Sequence, residues 1–223
     1  MRVMKKAVIF DLDGTLLDTL EDLADSVNYV LKENGFPERS LEEIKSFVGN
    51  GMKKLMSRSA PQGTASEKVE EMFRLLVTYY QSHCQIKTRP YAGIPELLKN
   101  LRAQGFLTAV ISNKADEAVQ DLVRQMFPGC FDFALGGSDG VKLKPDRAMV
   151  DIALKKLLVD ASEAFYVGDS EVDLDTARNA EMDCISVTWG FRTRDVLIAN
   201  GARMLADTPM EVMAFMTPYI RAD

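Results

Sequence analysis

Two aspartates stand two residues apart at the end of a short apolar run: Ala7-Val8-Ile9-Phe10 leads into Asp11-Leu12-Asp13-Gly14-Thr15. A continuous run of this kind reads as a buried parallel strand. Residues two apart on an extended chain share a side. Both carboxylates are therefore expected together at the strand's C-terminal end, where open α/β sheets bind ligands. Gly14 permits a tight turn, and Thr15 brings a hydroxyl close by. One carboxylate to attack phosphorus and a second to carry a proton make the pair that covalent aspartyl-phosphate chemistry needs. A helix cap or an Asp-rich turn is the plainer reading of the same residues.

Three further groups lie at comparable positions. Gly168-Asp169-Ser170, with Asp173, follows an apolar run over residues 164–167. Asp11, Asp13 and Asp169 together would be three mutually repelling carboxylates. A divalent cation is the natural counter-charge, and hard oxygen ligands suit Mg²⁺. Asp169-Ser170 also suits the N-cap of a helix expected over residues 174–180. Asp173 reads equally as a cap or as a supporting partner. Ser112-Asn113-Lys114 follows an apolar run over 107–111; a hydroxyl and a backbone N–H at a helix start there would bind an anion. Lys144-Pro145 is expected to open a helix through residues 149–157, with proline in the first turn. Lys144 is a candidate to hold a phosphate oxygen, and Lys142 and Lys114 compete for that task.

Elements able to position these residues alternate along the chain. Further apolar runs fall at 131–135, 184–187 and 203–206. Between the runs, Leu97, Leu98 and Leu101 share one helical face, as do Val119, Leu122, Val123 and Met126. Strands alternating with helices predict a doubly wound, Rossmann-like parallel α/β sheet. Residues 20–89 break the alternation. Leu20, Leu23, Ala24, Val27 and Leu31 form one stripe. Leu41, Ile44, Phe47 and Val48 form a second, interrupted by Gly49-Asn50-Gly51. Val69, Met72, Phe73, Leu76, Val77 and Tyr80 form a third. A link this long without structure would be unusual, so an inserted α-helical domain is expected. The domain boundaries follow: an α/β core over 1–18 and 90–223, and a helical insertion over 19–89.

Taken in order, Asp11-x-Asp13-Gly14-Thr15, Ser112-Asn113, Lys144-Pro145 and Gly168-Asp169-Ser170-x-x-Asp173 resemble the four motifs of the haloacid dehalogenase-like superfamily, in its phosphohydrolase branch. The likeness runs over nearly the whole chain, and the insertion after the first motif resembles that family's helical cap. The resemblance implies Asp11 as nucleophile and metal ligand, and Asp13 as general acid/base that lends its backbone carbonyl to Mg²⁺. Asp169 is implied as the remaining ligand. Ser112, Asn113, Thr15 and Lys144 would serve the transferring phosphoryl group, while Asp173 and Ser170 would support Lys144 or the metal. Phe47-Val48-Gly49-Asn50-Gly51, Pro90-Tyr91-Ala92-Gly93 and Val187-Thr188-Trp189-Gly190-Phe191-Arg192 resemble the phosphoglycolate phosphatase group. Gly49 and Gly51 would then let the cap backbone approach substrate, although a plain helix break accounts for them equally. Asp146-Arg147 and Ala180-Glu181-Met182 depart from the family pattern, which has a second proline at the first and Ala-Gly at the second.

The activity implied is Mg²⁺-dependent hydrolysis of a small phosphorylated metabolite, phosphoglycolate foremost. A β-phosphoglucomutase-like mutase and an inorganic pyrophosphatase are the alternatives on the same scaffold. Composition removes other classes. The 223 residues hold 33 Asp and Glu against 27 Lys and Arg, a formal charge of -6, which disfavours nonspecific nucleic-acid binding. A single histidine excludes multi-His metal sites and weakens any Ser-His-Asp scheme. That residue, His83, reads as structural or surface, and Arg192 reads as surface. Three scattered cysteines without a CxxC pair suit a reducing compartment. The apolar stretch after the basic start at residues 1–6 breaks at Asp11, too short for a signal-peptide core. No apolar run is long enough to span a bilayer, so a cytoplasmic protein is expected.

Overall fold

The run Ala7–Phe10 forms strand β1, every residue buried and paired to a parallel neighbour on each side. The computed structural model describes residues 4–219. Parts of the sequence expectations for the basic start and for the end of the core segment therefore lie outside the described residues. The chain continues through β2 (Leu17–Asp18), α1 (Leu20–Glu33), α2 (Leu41–Phe47), α3 (Met52–Ser59), α4 (Ser66–His83), β3 (Arg89–Pro90) and α5 (Ile94–Ala103). It goes on through β4 (Leu107–Ala115), α6 (Asp116–Met126), β5 (Phe133–Gly137), α7 (Ala148–Leu157) and β6 (Ala164–Gly168). The last elements are α8 (Glu171–Asn179), β7 (Asp183–Val187), α9 (Arg194–Ala199), β8 (Met204–Ala206) and α10 (Pro209–Met216). Among the described residues no helix is long and apolar enough to cross a membrane.

Two compact units result, one from the segments up to Leu17 and from Pro90 onward, the other from Asp18–Arg89. The first is an α/β unit around a six-stranded parallel sheet in the order β5-β4-β1-β6-β7-β8. Alternation along β1 sends Val8 and Phe10 into a core with α5, α6 and α10, and Ala7 and Ile9 into a core with α7 and α8. Both sheet faces are covered, which is why its strands read as continuous apolar runs rather than alternating ones. The chain leaves β1 toward β4 and β5, then returns to β6 on the other side of β1. The strand order thus reverses between β1 and β6, and the crevice beyond their C-terminal ends is the switch point of the sheet.

Three sequence expectations change here. The strand expected over 107–111 runs on to Ala115, because beyond a register shift after Ile111 it pairs again with β5 at Gly137. Ser112-Asn113-Lys114 therefore lie in the irregular end of a strand, and α6 starts only at Asp116. Pro145 is not in the first turn of a helix. The Lys144 backbone is held on both sides by the Asn113 side chain, and α7 begins at Ala148, whose N–H donates to Asp146 Oδ1 at 3.0 Å. The strand expected over 131–135 lies two residues later, at Phe133–Gly137.

The second unit is helical. α1 packs on α2 and α4, and α3 packs on α2 and α4. Its buried residues include Val27, Val30, Leu31, Leu55, Met56, Met72, Leu76 and Tyr80. The second stripe of the sequence lies in α2 and its C-cap Val48, and a further helix, α3, follows Gly49-Asn50-Gly51. Gly51 caps α3 at φ 80°, a left-handed conformation in which a Cβ would be strained. Arg58 ties the break together through Phe47 O at 2.8 Å and Asn50 Oδ1 at 2.7 Å. His83 stacks on Tyr79 with ring centroids 3.8 Å apart, and Tyr79 stacks in turn on Tyr29. The buried Asp22 carboxylate accepts from the backbone N–H groups of Lys87 and Thr88, which ties α1 to the segment leaving the unit.

Candidate active site

Phe10 pairs with Val110 on one side and Val167 on the other, so β1, β4 and β6 deliver their next residues to one place. From β1 comes Asp11, whose backbone N–H still donates to Val167 O at 2.9 Å. From β6 comes Asp169, and from the first turn of α8 comes Asp173. One carboxylate oxygen from each of Asp11, Asp169 and Asp173 lies within 4.8 Å of the others, and all three residues are buried.

Lys144 enters this cluster from the turn before α7. Its Nζ donates to Asp11 Oδ1 at 2.6 Å, to Asp173 Oδ1 at 2.8 Å and to Tyr166 OH at 3.1 Å. The Tyr166 hydroxyl donates to Asp173 Oδ1 at 2.9 Å. The second Asp173 oxygen accepts from Ser170 N at 3.1 Å and Ser170 Oγ at 2.6 Å. Asp173 thus caps α8 and anchors Lys144 at once, which joins the two roles the sequence left as alternatives. Gly168 is required beside it, since a Cβ there would overlap the Asp173 carboxylate. Asn113 accepts from Lys144 N–H at 2.8 Å and donates to Lys144 O at 3.0 Å, fixing the lysine's backbone as Asp173 and Tyr166 fix its tip.

Asp13 adds no carboxylate oxygen to the group formed by Asp11, Asp169 and Asp173. Asp13 lies past the end of β1, in the turn where Leu16 and Leu17 N–H groups return to Leu12 O. The two-residue strand period does not reach it. Its carboxylate turns instead to Lys114, at 2.9 and 3.2 Å, and Asp173 supplies the third clustered carboxylate. Of the competing lysines, Lys142 is an exposed partner of Asp146. Lys114 is buried and commits its ammonium to Asp13. Ser112 is buried at the end of β4, with its Oγ accepting from Lys114 N–H at 3.2 Å.

Asp169 is held by two elements distant in sequence. Thr15 Oγ1 donates to its Oδ1 at 3.2 Å, and Phe191 N–H donates to its Oδ2 at 2.6 Å. Gly14, at φ 90°, passes so close that a Cβ would stand 2.5 Å from Asp169 Oδ2. Arg192 is not the surface residue expected. It is half-buried, with its guanidinium on both oxygens of Glu171 at 2.7 and 3.0 Å. Gly49 and Gly51 belong to the helical unit described above.

The sequence gives no sign of Tyr166 as a site residue, and it marks Phe191 only as part of the stretch 187–192. Tyr166 is hidden within an apolar strand run, and Phe191 acts through its backbone. Only the polar tip of a tyrosine in an otherwise apolar core strand hints at a buried partner.

Burial first, then Asp173 and Asp169, drives the Asp11 pKa well above the usual carboxylate range against the pull of Lys144. Burial, reinforced by Asp173, pushes Asp169 up to about 7. Burial also opposes charge on Asp173, but Lys144, Ser170 and Tyr166 outweigh it and hold its pKa below the usual value. Burial disfavours the Lys144 ammonium, yet Asp11 and Asp173 hold its pKa well above normal.

With all four groups ionised, three carboxylates face one ammonium. The oxygen-only donor set and its excess of negative charge fit a hard divalent cation such as Mg²⁺. Both Asp173 oxygens are already committed to Lys144, Tyr166 and Ser170, which leaves Asp11 and Asp169 as the carboxylates to hold it.

Buried carboxylates at the switch point of a parallel α/β sheet, set against one buried lysine, define an enzyme site that needs no histidine. The chain belongs to the haloacid dehalogenase-like hydrolase family, whose profile matches residues 8–187. It is similar to two bacterial proteins named phosphoglycolate phosphatase. That of Nitrosospira multiformis is 36% identical, over 86% of this chain and 87% of its own. That of Pseudomonas savastanoi pv. phaseolicola is 34% identical, over 92% and 77%. A crystal structure from Lactobacillus delbrueckii subsp. bulgaricus, assigned as a phosphoglycolate phosphatase, matches at a TM-score of 0.92 and 40% identity, over 96% of this chain and 99% of that one.

Proposed function

We propose that the chain is a Mg²⁺-dependent phosphomonoesterase that works through a phosphoryl group carried on Asp11. The observation that carries this reading is the buried Asp11 carboxylate, 2.6 Å from Lys144 Nζ, on the same loop as an Asp13 carboxylate paired with Lys114. Asp11 attacks phosphorus in line, its P–O bond forming as the ester P–O bond breaks. Asp13 donates a proton to the departing alcohol oxygen, then takes one from the water that cleaves the aspartyl phosphate. Lys144 and the Ser112 hydroxyl meet the oxygens of the transferring group. Asp11 and Asp169, with the Asp13 carbonyl as the family resemblance implies, would hold Mg²⁺, which would supply positive charge to offset that of the transferring group.

Phosphoglycolate is the first substrate to test, because relatives at 34% and 36% identity carry that name. Phosphate release would be measured over a panel of phosphorylated metabolites, β-glucose 1-phosphate and pyrophosphate included, with Mg²⁺ and with EDTA. The expected result is Mg²⁺-dependent release, greatest with phosphoglycolate, and none with EDTA. No release from any substrate by Mg²⁺-loaded protein would sink the hydrolase reading. Isomerised sugar phosphate without free phosphate would replace it with a mutase.

Asn113 is expected to act on turnover without touching substrate. Asn113→Ala removes both hydrogen bonds that its side chain makes to the Lys144 backbone, at a stability cost of about 1–3 kcal/mol. Displacement of the ammonium should lower kcat by up to about a hundred-fold, with a smaller change in KM. Steady-state kinetics with urea unfolding would check both, and an unchanged kcat would return Asn113 to a purely structural role.

A further inference from the structure

We propose that the Glu171–Arg192 ion pair is a staple that fixes the direction of the Asp169 carboxylate, making Arg192 a positioning residue for the divalent cation. The inference rests on the metal reading above. Glu171 lies two residues beyond Asp169, at the start of α8, and Arg192 directly follows Phe191, whose N–H donates to Asp169 Oδ2 at 2.6 Å. The bidentate contact between Arg192 and Glu171 closes a short ring, from Asp169 through Ser170 and Glu171 to Arg192, Phe191 and back. A planar guanidinium on both oxygens of a carboxylate fixes angle as well as distance, which an ammonium does not. The Arg192 side chain is 10% exposed and that of Glu171 33%, so the pair is more sheltered than an ordinary surface bridge.

Other contacts bind the same loop to the same carboxylate. Trp189 Nε1 donates to Thr15 O at 3.0 Å, and Thr15 Oγ1 donates to Asp169 Oδ1. Gly190 sits so close to Asp169 and to the Gly14 carbonyl that any Cβ would overlap both. Each Asp169 oxygen therefore accepts one hydrogen bond from the protein, and the remaining lone pairs have a set direction. Partners behind a metal ligand commonly govern affinity in this way. The staple keeps the Phe191 N–H in place, and through it the carboxylate.

The sign of one substitution separates this role from simple electrostatics. Removing a cation close to the site would, by Coulomb's law alone, tighten binding of another cation. Loss of the staple would weaken it. Mg²⁺ alone would be titrated calorimetrically into the full-length wild type, Arg192→Gln, Arg192→Lys, Glu171→Gln and the Arg192→Gln/Glu171→Gln double variant. Melting in EDTA would verify the fold. The expected result is binding about ten-fold weaker for Arg192→Gln, an intermediate loss for Arg192→Lys, and a double variant no weaker than Arg192→Gln, because both changes break one connection. Arg192→Gln binding as tightly as wild type, or tighter, would overturn the staple alone. If that variant does not fold, Arg192→Lys decides: weaker binding supports the staple and wild-type affinity overturns it. Wild type that takes up no Mg²⁺ would overturn the metal reading of the site, and the staple with it.

Discussion

Asp11→Asn is expected to leave less than about one part in ten thousand of wild-type turnover, in a protein that still folds. The amide has nearly the shape of the carboxylate, and its oxygen can still accept from Lys144 Nζ, 2.6 Å from Asp11 Oδ1 in the wild type. It has no nucleophilic oxygen anion. Burial and two neighbouring carboxylates already disfavour charge on Asp11, so a neutral side chain there relieves a cost. The melting midpoint without Mg²⁺ should therefore stay within about 2 °C of wild type or rise. The upward shift expected from Mg²⁺ in the wild type should largely disappear, because one of the two carboxylates proposed to hold it is gone. Parallel measurement of kcat and of melting with and without Mg²⁺ would check all three statements. Turnover above a few per cent of wild type would remove Asp11 from the nucleophile's role.

Lys144→Met should be the more damaging change overall, since it strikes both chemistry and stability. The ammonium serves Asp11, Asp173 and Tyr166 at once, all of them buried. A methionine of similar length strands those carboxylates without a cation, at a cost of about 3–5 kcal/mol near neutral pH. The sign with pH follows from the wild type. Lys144 is the chief influence lowering the Asp173 pKa against burial, so the stability it gives is present above the ordinary carboxylate range and is lost as the pH falls. In the variant, Asp11 and Asp173 both favour the protonated form when folded, so that protein gains stability on acidification. The two stability curves should converge as the pH is lowered. Turnover should fall by about a thousand-fold, the usual scale for a lost charge-stabilising donor. Urea unfolding across pH, together with kcat, would check this; a stability gap that does not narrow in acid would contradict the assigned charge pairing.

Much of this arrangement is legible in the sequence, for a physical reason. In a parallel sheet covered on both faces the strands are short apolar runs, and the polar residues that end them are the ones delivered to the crevice. Asp11, Asp169 and the Ser112-Asn113-Lys114 stretch all stand where such a run stops. Lys144 is found by its place between them. Contacts made across the fold were not legible. Nothing local to Asp13 says that the turn after β1 aims it at Lys114, 101 residues away. Asp173 satisfies a helix cap, and only the folded chain reveals that the same oxygens hold Lys144. Tyr166 passes for a core residue, and the Phe191 N–H carries no side-chain signature at all. Helix α3 was hidden because it is only eight residues long, directly after Gly49-Asn50-Gly51, with Met52, Leu55 and Met56 as its few apolar positions.

In the proposed reaction, phosphorus passes through a covalent bond to Asp11. The most direct test is a rapid-quench experiment on the full-length protein with Mg²⁺ and a hydrolysed substrate, followed by peptide mass analysis of residues around the first motif. A phosphoryl group is expected on Asp11 that forms and decays within one turnover and is absent from Asp11→Asn. Phosphate released at the wild-type rate with no phosphoryl group on Asp11 at any time point, or with the group on another residue, would contradict it.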